Sequence, residues 1–175
     1  MVNVKELINT MPQIGKVEWI GLRPKHKAPV ETVDEVMVTV EGGLEGDHYS
    51  KSGGNRQVTL LQSEHLAAMA SILQLDTIDP ALMRRNIVVS GINLQAFADR
   101  QFQIGEVILE MTGICHPCSR VEQNLVPGAY NAMRGHGGVT AKVIQGGTIR
   151  VGDAVQLYNP EKQIITSANH QLSIL

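Results

Sequence analysis

The sequence predicts a mainly β protein with a few helices, an α+β chain whose strands close into a barrel-like sheet. Three observations lead there. Short alternating apolar segments recur between glycine-rich turns. Only one stretch, residues 64–75, has the length and period of a substantial helix. Strands do not alternate with long helices, as a doubly wound sheet would require. At 175 residues the chain reads as one domain over 1–175, with a core over about 14–158 and a tail over 160–175.

The elements follow in order. Val4, Leu7, Ile8 and Met11 keep helical spacing, with Asn3 as N-cap and Pro12 as stop. Residues 14–22 read as a strand, followed by a polar loop holding Pro24 and Pro29. Val36, Val38 and Val40 alternate as one buried strand face. Glu41 to His48 and Lys51 to Asn55 are turn-rich, and 57–61 is a short strand. The helix over 64–75 takes Ser63 as N-cap and Leu66, Met69, Ala70 and Leu73 as its core stripe. Asp79-Pro80 opens a short helix ending near Arg84. Residues 87–89 form a strand, 94–97 one helical turn, and 103–111 a strand running into the cysteines. A hairpin is expected from 140–144 to 148–151 across Gln145-Gly146-Gly147, then a last strand over 154–158.

Composition excludes several classes. Hydrophobic residues make up 43% and the formal net charge is -2, an ordinary globule with no field favouring nucleic acid or an anionic membrane. Aromatic residues are only 3%, too few for base-stacking platforms. No apolar run approaches the ~20 residues of a membrane span. The N-terminus lacks the apolar core of a secretory signal. Two cysteines are too few for a disulfide scaffold, so a reducing cytoplasmic setting is the expectation.

Both cysteines lie in Gly113-Ile114-Cys115-His116-Pro117-Cys118-Ser119-Arg120, so all thiol chemistry is in one place. Cys-x-x-Cys is half of a structural zinc site, but the second Cys or His pair is missing, unless folding gathers His48 and His136. It also outlines a dithiol redox motif, which wants a βαβ context that this β-rich stretch lacks. A single functional thiolate is the third reading. Arg120 lies beside it, and Arg84, Arg85 and His48 are candidates to converge in space. A thiolate of this kind suits molybdenum or sulfur carriage. The plain alternative is two cysteines buried as small hydrophobes.

Other polar residues sit at strand ends. Asp47-His48 occupies a glycine-rich loop, as a proton-transfer pair or as a simple turn. Arg56 and the run Arg84-Arg85-Asn86 each precede a strand, where guanidinium groups can grip phosphate. Arg134-Gly135-His136-Gly137-Gly138 offers backbone N–H groups to an anion, or forms a surface loop. Together these features imply a phosphate-bearing ligand with a soft atom at its far end.

Taken in order, these pieces resemble the MOSC family, named for the C-terminal domain of molybdenum-cofactor sulfurases. The matching stretches are Gly43 to His48, Arg56 to Leu61, Arg84 to Gly91, Gln103 to Glu110, Pro117-Cys118 and Gly135 to Asp153. The resemblance implies a MOSC-type β-barrel related to the pyruvate kinase barrel domain. It places the family's hallmark cysteine on Cys118, as ligand to the molybdenum of molybdopterin. It maps the pterin-phosphate residues onto Arg84 and Asn86, and Arg56 and His48 fall in other family motifs. Together with the residue reading, this makes Arg56 and Arg120 further cofactor-binding candidates and His48 a catalytic candidate with Cys118. Relatives of this kind reduce N-hydroxylated compounds. The chain is shorter than the mitochondrial reductases and lacks the cysteines of an iron–sulfur cluster, so a separate electron-transfer protein is the expected partner. The alternative is a non-catalytic module that carries sulfur as a Cys118 persulfide or shuttles the cofactor. Cys115 lies outside the family hallmark, and a regulatory disulfide is one role open to it.

Overall fold

A computed structural model describes residues 3–49 and 53–160. In chain order the elements are α1 (Val4–Asn9), β1 (Gly15–Leu22), β2 (Glu31–Val33), β3 (Glu35–Thr39), β4 (Gly43–Leu44), β5 (Val58–Gln62), α2 (Ser63–Leu73), α3 (Pro80–Met83) and β6 (Ile87–Ser90). A single 3-10 turn, Leu94–Phe97, precedes β7 (Gln101–Ile104), β8 (Val107–Ile114), α4 (Ser119–Asn124), α5 (Ala129–Ala132), β9 (Val139–Gln145), β10 (Gly147–Arg150) and β11 (Ala154–Leu157).

Seven strands close a barrel in the order β11-β7-β8-β9-β5-β6-β1, and β2 adds to the far end of β1. Closure rests on two residue pairs between β1 and β11, Gly15 with Val155 and Lys16 with Ala154. Within the barrel, β5 and β6 run parallel and the other neighbours antiparallel. A parallel pair needs a long crossover, and α2 and α3 supply it. A second sheet, β10-β3-β4, packs alongside.

Two apolar clusters explain the layering. Val17, Ile20, Leu60, Ile87, Val89, Phe102 and Leu109 fill the barrel, joined by Phe97 stacked on Phe102 at 4.6 Å. Outside it, Leu61, Met69, Val88, Val121, Ala129 and Met133 bury the helices against the sheet. Strand β5 serves both, with Leu60 facing in and Leu61 out, so all five of its residues are buried. Each fully buried Leu or Phe side chain is worth about 1.5–3 kcal/mol over an exposed one.

Several expectations need correcting. The strand expected over 103–111 is two strands, folded on each other at Gly105, whose φ of 56° makes the turn. The hairpin across Gln145-Gly146-Gly147 is a corner. Strand β9 pairs with β5 and β8, while β10 leaves to pair with β3. A Cβ on Gly146 would lie 2.6 Å from the Val38 carbonyl, so only glycine lets the chain pass there. Ser63 is the first helical residue and not the N-cap. The cap position falls on Gln62, whose side chain instead accepts from Leu94 N–H at 3.0 Å. The first helix forms on its expected N-cap, with Asn3 and Glu6 making a capping box, but it buries no residue. Val4, Leu7 and Ile8 are all more than half exposed. Helices α4 and α5, after the cysteines, were not expected as elements. From residue 161 the expected tail lies outside the described residues, as do residues 51 and 52 of the expected loop.

Candidate functional site

The site begins with a buried polar knot. Arg23 follows β1, Asp47 follows β4, Thr59 lies on β5 and Asn86 precedes β6, and all four are buried. A charge taken from water needs a partner and filled hydrogen bonds. Arg23 grips Asp47 through Nη2 at 2.7 Å and Nε at 3.2 Å, and donates to the Arg84 carbonyl at 3.1 Å. Asn86 is the centre of the knot. Its Oδ1 accepts from Thr59 Oγ1 at 2.7 Å, Thr59 N at 3.2 Å and Arg23 Nη2 at 3.0 Å. Its Nδ2 donates to Asp47 and to the Gly21 carbonyl.

Above the knot opens a cavity of about 270 Å³, between the barrel and the helical layer. Five arginines line it (23, 56, 84, 85 and 120), and no carboxylate does among the described residues. Met83, Val121 and Met133 form its apolar wall. In a chain of net charge -2 this concentrates positive potential in one concavity. Burial pushes the Arg84 guanidinium below its usual range, and repulsion from Arg120 and Arg23 adds to it. Burial does the same to Arg85, opposed by the two cysteines.

The arginines divide by role. Arg23 is locked in the knot. Arg85 ties three segments together, donating to the carbonyls of Gly137 at 2.9 Å, Met83 at 3.3 Å and His116 at 3.4 Å. Arg84 closes α3 in the left-handed region at φ 55° and gives one donor to Ala28 O at 2.8 Å. Arg56 and Arg120 make no hydrogen bond or ion pair among the described residues, which leaves their donors for a ligand. Of the four cofactor-binding candidates, Arg56, Arg84 and Arg120 therefore reach the cavity. Asn86 does not. It is fully buried beneath the floor with its amide engaged, so it positions the site and cannot grip a ligand.

Both cysteines line the cavity, but differently. Cys118 is exposed and Cys115 buried, and both are free thiols. Burial pushes the Cys115 thiol up, against the pull of Arg85, Arg56 and Arg23. Residues 115–118 form no turn, and Cys118 is extended at φ -128°, ψ 166°. The helical start that a dithiol motif needs at its first cysteine is absent; α4 begins only after the second. His136 packs on His65 and not beside His48. Among the described residues no three His, Cys, Asp or Glu side chains gather as a metal cluster, so the zinc reading finds no second half-site.

His48 also lines the cavity. Its backbone N–H and its ring Nδ1 both lie 2.8 Å from the Arg23 carbonyl. A carbonyl only accepts, so Nδ1 carries the proton and Nε2 is the ring atom left for chemistry. Sequence reading missed Arg23, Thr59, Tyr49 and Thr140. Arg23 lay in an apparently ordinary Pro-Lys-His-Lys loop, and no local pattern links it to Asp47 further along the chain.

The fold and site define a small closed β-barrel protein whose arginine-lined cavity holds an exposed thiol. The MOSC domain model matches residues 42–156, and the chain belongs to the MOSC family, which is associated with molybdenum-cofactor binding. Sequence comparison with curated proteins finds no significant match. Among solved structures, the YuaD protein from Bacillus subtilis superposes with a TM-score of 0.70 at 18% identity, covering 83% of this chain and 97% of that one. YiiM from Escherichia coli gives 0.63 at 22% identity, over 82% and 70%. YiiM from Geobacillus stearothermophilus gives 0.67 at 17%, over 83% and 75%. At these identities the likeness concerns the fold. No helix among the described residues is long and apolar enough to cross a membrane.

Proposed function

We propose that the cavity binds the molybdenum cofactor and that the protein reduces N-hydroxylated compounds with electrons from a separate protein. The observation that carries this is the pairing, in one cavity, of uncommitted guanidinium groups with an exposed thiol. Arg56, Arg84 and Arg120 supply donors for the pterin phosphate, and Cys118 supplies a soft thiolate ligand for the metal. When bound, the cofactor supplies two-electron exchange of an oxygen atom.

The chain's own groups do the rest. Arg23, Asp47 and Asn86 hold the floor rigid. Met83, Val121 and Met133 keep water from one wall. His48 Nε2 passes a proton, and reduction of an N–OH to N–H takes two electrons and two protons and releases water. The exposure of Cys118 also favours a second reading, in which it carries sulfur as a persulfide and turns nothing over. Metal analysis of protein from a cofactor-competent host decides. Near-equimolar molybdenum, lost in Cys118→Ala and kept in Cys115→Ala, is the expected result. Absence of molybdenum with a persulfide on Cys118 favours the carrier, and zinc lost in both variants sinks both readings.

A further inference from the structure

Two buried side-chain nitrogens lack a hydrogen-bond partner among the described residues, and both are imidazole Nδ1 atoms, of His65 and His136. The rings meet edge to face, with centroids 4.9 Å apart at 75°. His65 lies on α2, and His136 in the glycine-rich loop after α5. That loop bears directly on the cysteine segment. Gly137 O accepts from Arg85 Nε at 2.9 Å, and Gly138 O accepts from Cys115 N–H at 2.8 Å. A Cβ on Gly137 would fall 2.0 Å from the Cys115 carbonyl, and one on Gly138 1.9 Å from the Leu60 carbonyl. The loop is thus wedged between β5 and the cysteines, with the histidine contact holding its outer side.

From this geometry we infer that the His65–His136 contact is a proton-operated latch: neutral rings hold the loop against Cys115 and Arg85, and protonation releases it and slackens the cavity. A neutral imidazole can keep its proton on Nε2 and leave Nδ1 bare. The imidazolium must also carry one on Nδ1, here a buried donor without an acceptor. The surroundings offer little relief. Glu64, beside His65 on α2, already accepts from Gly91 N–H at 2.7 Å and from the Ser63 hydroxyl at 3.3 Å. On the loop side stand Arg134 and Arg85, both cations, and the buried Cys115 thiol, which burial keeps protonated. Burial, then His136, hold His65 below its ordinary value, against Glu64. The sign agrees. A histidine held below its unfolded value contributes stability above about 6.5, and this is lost as pH falls toward its folded value.

The effect on ligand binding rests on the anion-site reading; release of the loop does not. The sign separates the latch from a rigid cavity. The cavity's arginines keep their charge over this range, so a rigid site would bind an anion no more weakly in acid. A latch reverses this. Sulfate, whose charge is constant over the range, is titrated calorimetrically at about pH 7.5 and 5.5, and exchange of the Cys115 amide, corrected for its intrinsic rate, is followed by NMR. We expect Cys115 protection to fall about tenfold or more at the lower pH, with weaker sulfate binding. In His65→Phe, and independently in His136→Phe, protection should become pH-independent and sulfate binding should no longer weaken in acid. Unchanged Cys115 protection in the wild type, or pH-dependent loss persisting in both variants, overturns the latch. Absence of sulfate binding at the higher pH instead overturns the anion-site reading, and the exchange measurement still decides the latch.

Discussion

Asn86 shows how one residue can matter to a site without touching a ligand. Its amide joins Arg23, Asp47, Thr59 and Gly21, so four strand ends meet at one side chain. Asp47 has a different duty: it neutralises the largely buried guanidinium of Arg23. Asp47→Ala leaves Arg23 buried and unpaired and should cost about 3–5 kcal/mol, measured as a shift in the guanidinium chloride midpoint. The sequence marked Asp47, His48, Arg84 and Asn86 as polar residues at strand ends, and that much was legible. What it could not show was direction. Arg84 and Asn86 are two residues apart, yet one faces the cavity and the other the floor, because Arg84 turns through the left-handed region before the strand begins. Gly137 presents the opposite case, a residue whose value lies in having no side chain. Gly137→Ala should cost about 3 kcal/mol or more and displace the Cys115 segment, checked by thermal unfolding and by Cys115 accessibility to a thiol reagent.

At the scale of elements, α4 and α5 carry the wall beside Cys118, and one carboxylate joins them. Glu122 on α4 accepts from Gly128 N–H at 2.6 Å and Tyr130 N–H at 2.7 Å, at the start of α5. These backbone donors hold its carboxyl below the ordinary 4.5. A depressed carboxyl contributes stability above its unfolded value, lost as pH falls through the folded one. Glu122→Gln should therefore raise amide exchange at Gly128 and Tyr130 at neutral pH and flatten the acid dependence of that exchange. Neither helix was legible beforehand. Each is short, and Pro127 and Gly128 read as breakers, although Gly128 in fact caps α5 at φ 94°. By contrast α2 announced itself, because Leu66, Met69 and Ala70 share one buried face. The stripe of α1 had the same period and no core to meet. Periodicity reports that a helix is amphipathic, not which surface its apolar side finds.

For the whole molecule, the class of fold was legible because short alternating strands and glycine turns are local features. Pairing was not, since β9 and β10 are adjacent in sequence and join different sheets. The barrel seam illustrates this best. It consists of two residue pairs between β1 and β11. Val155 sits there fully buried. Val155→Asp should cost about 4 kcal/mol or more and broaden the denaturation transition, read by circular dichroism. The same seam sets a constraint on biosynthesis. Strand β1 emerges from the ribosome long before its partner β11, which ends at Leu157. Until β11 is made, the nascent sheet has two open edges, and open edges invite pairing with other chains. Closing so long a loop also slows the final step. The vulnerable period for aggregation is thus the interval of translation between those two strands, and a chain truncated before Ala154 should never leave it.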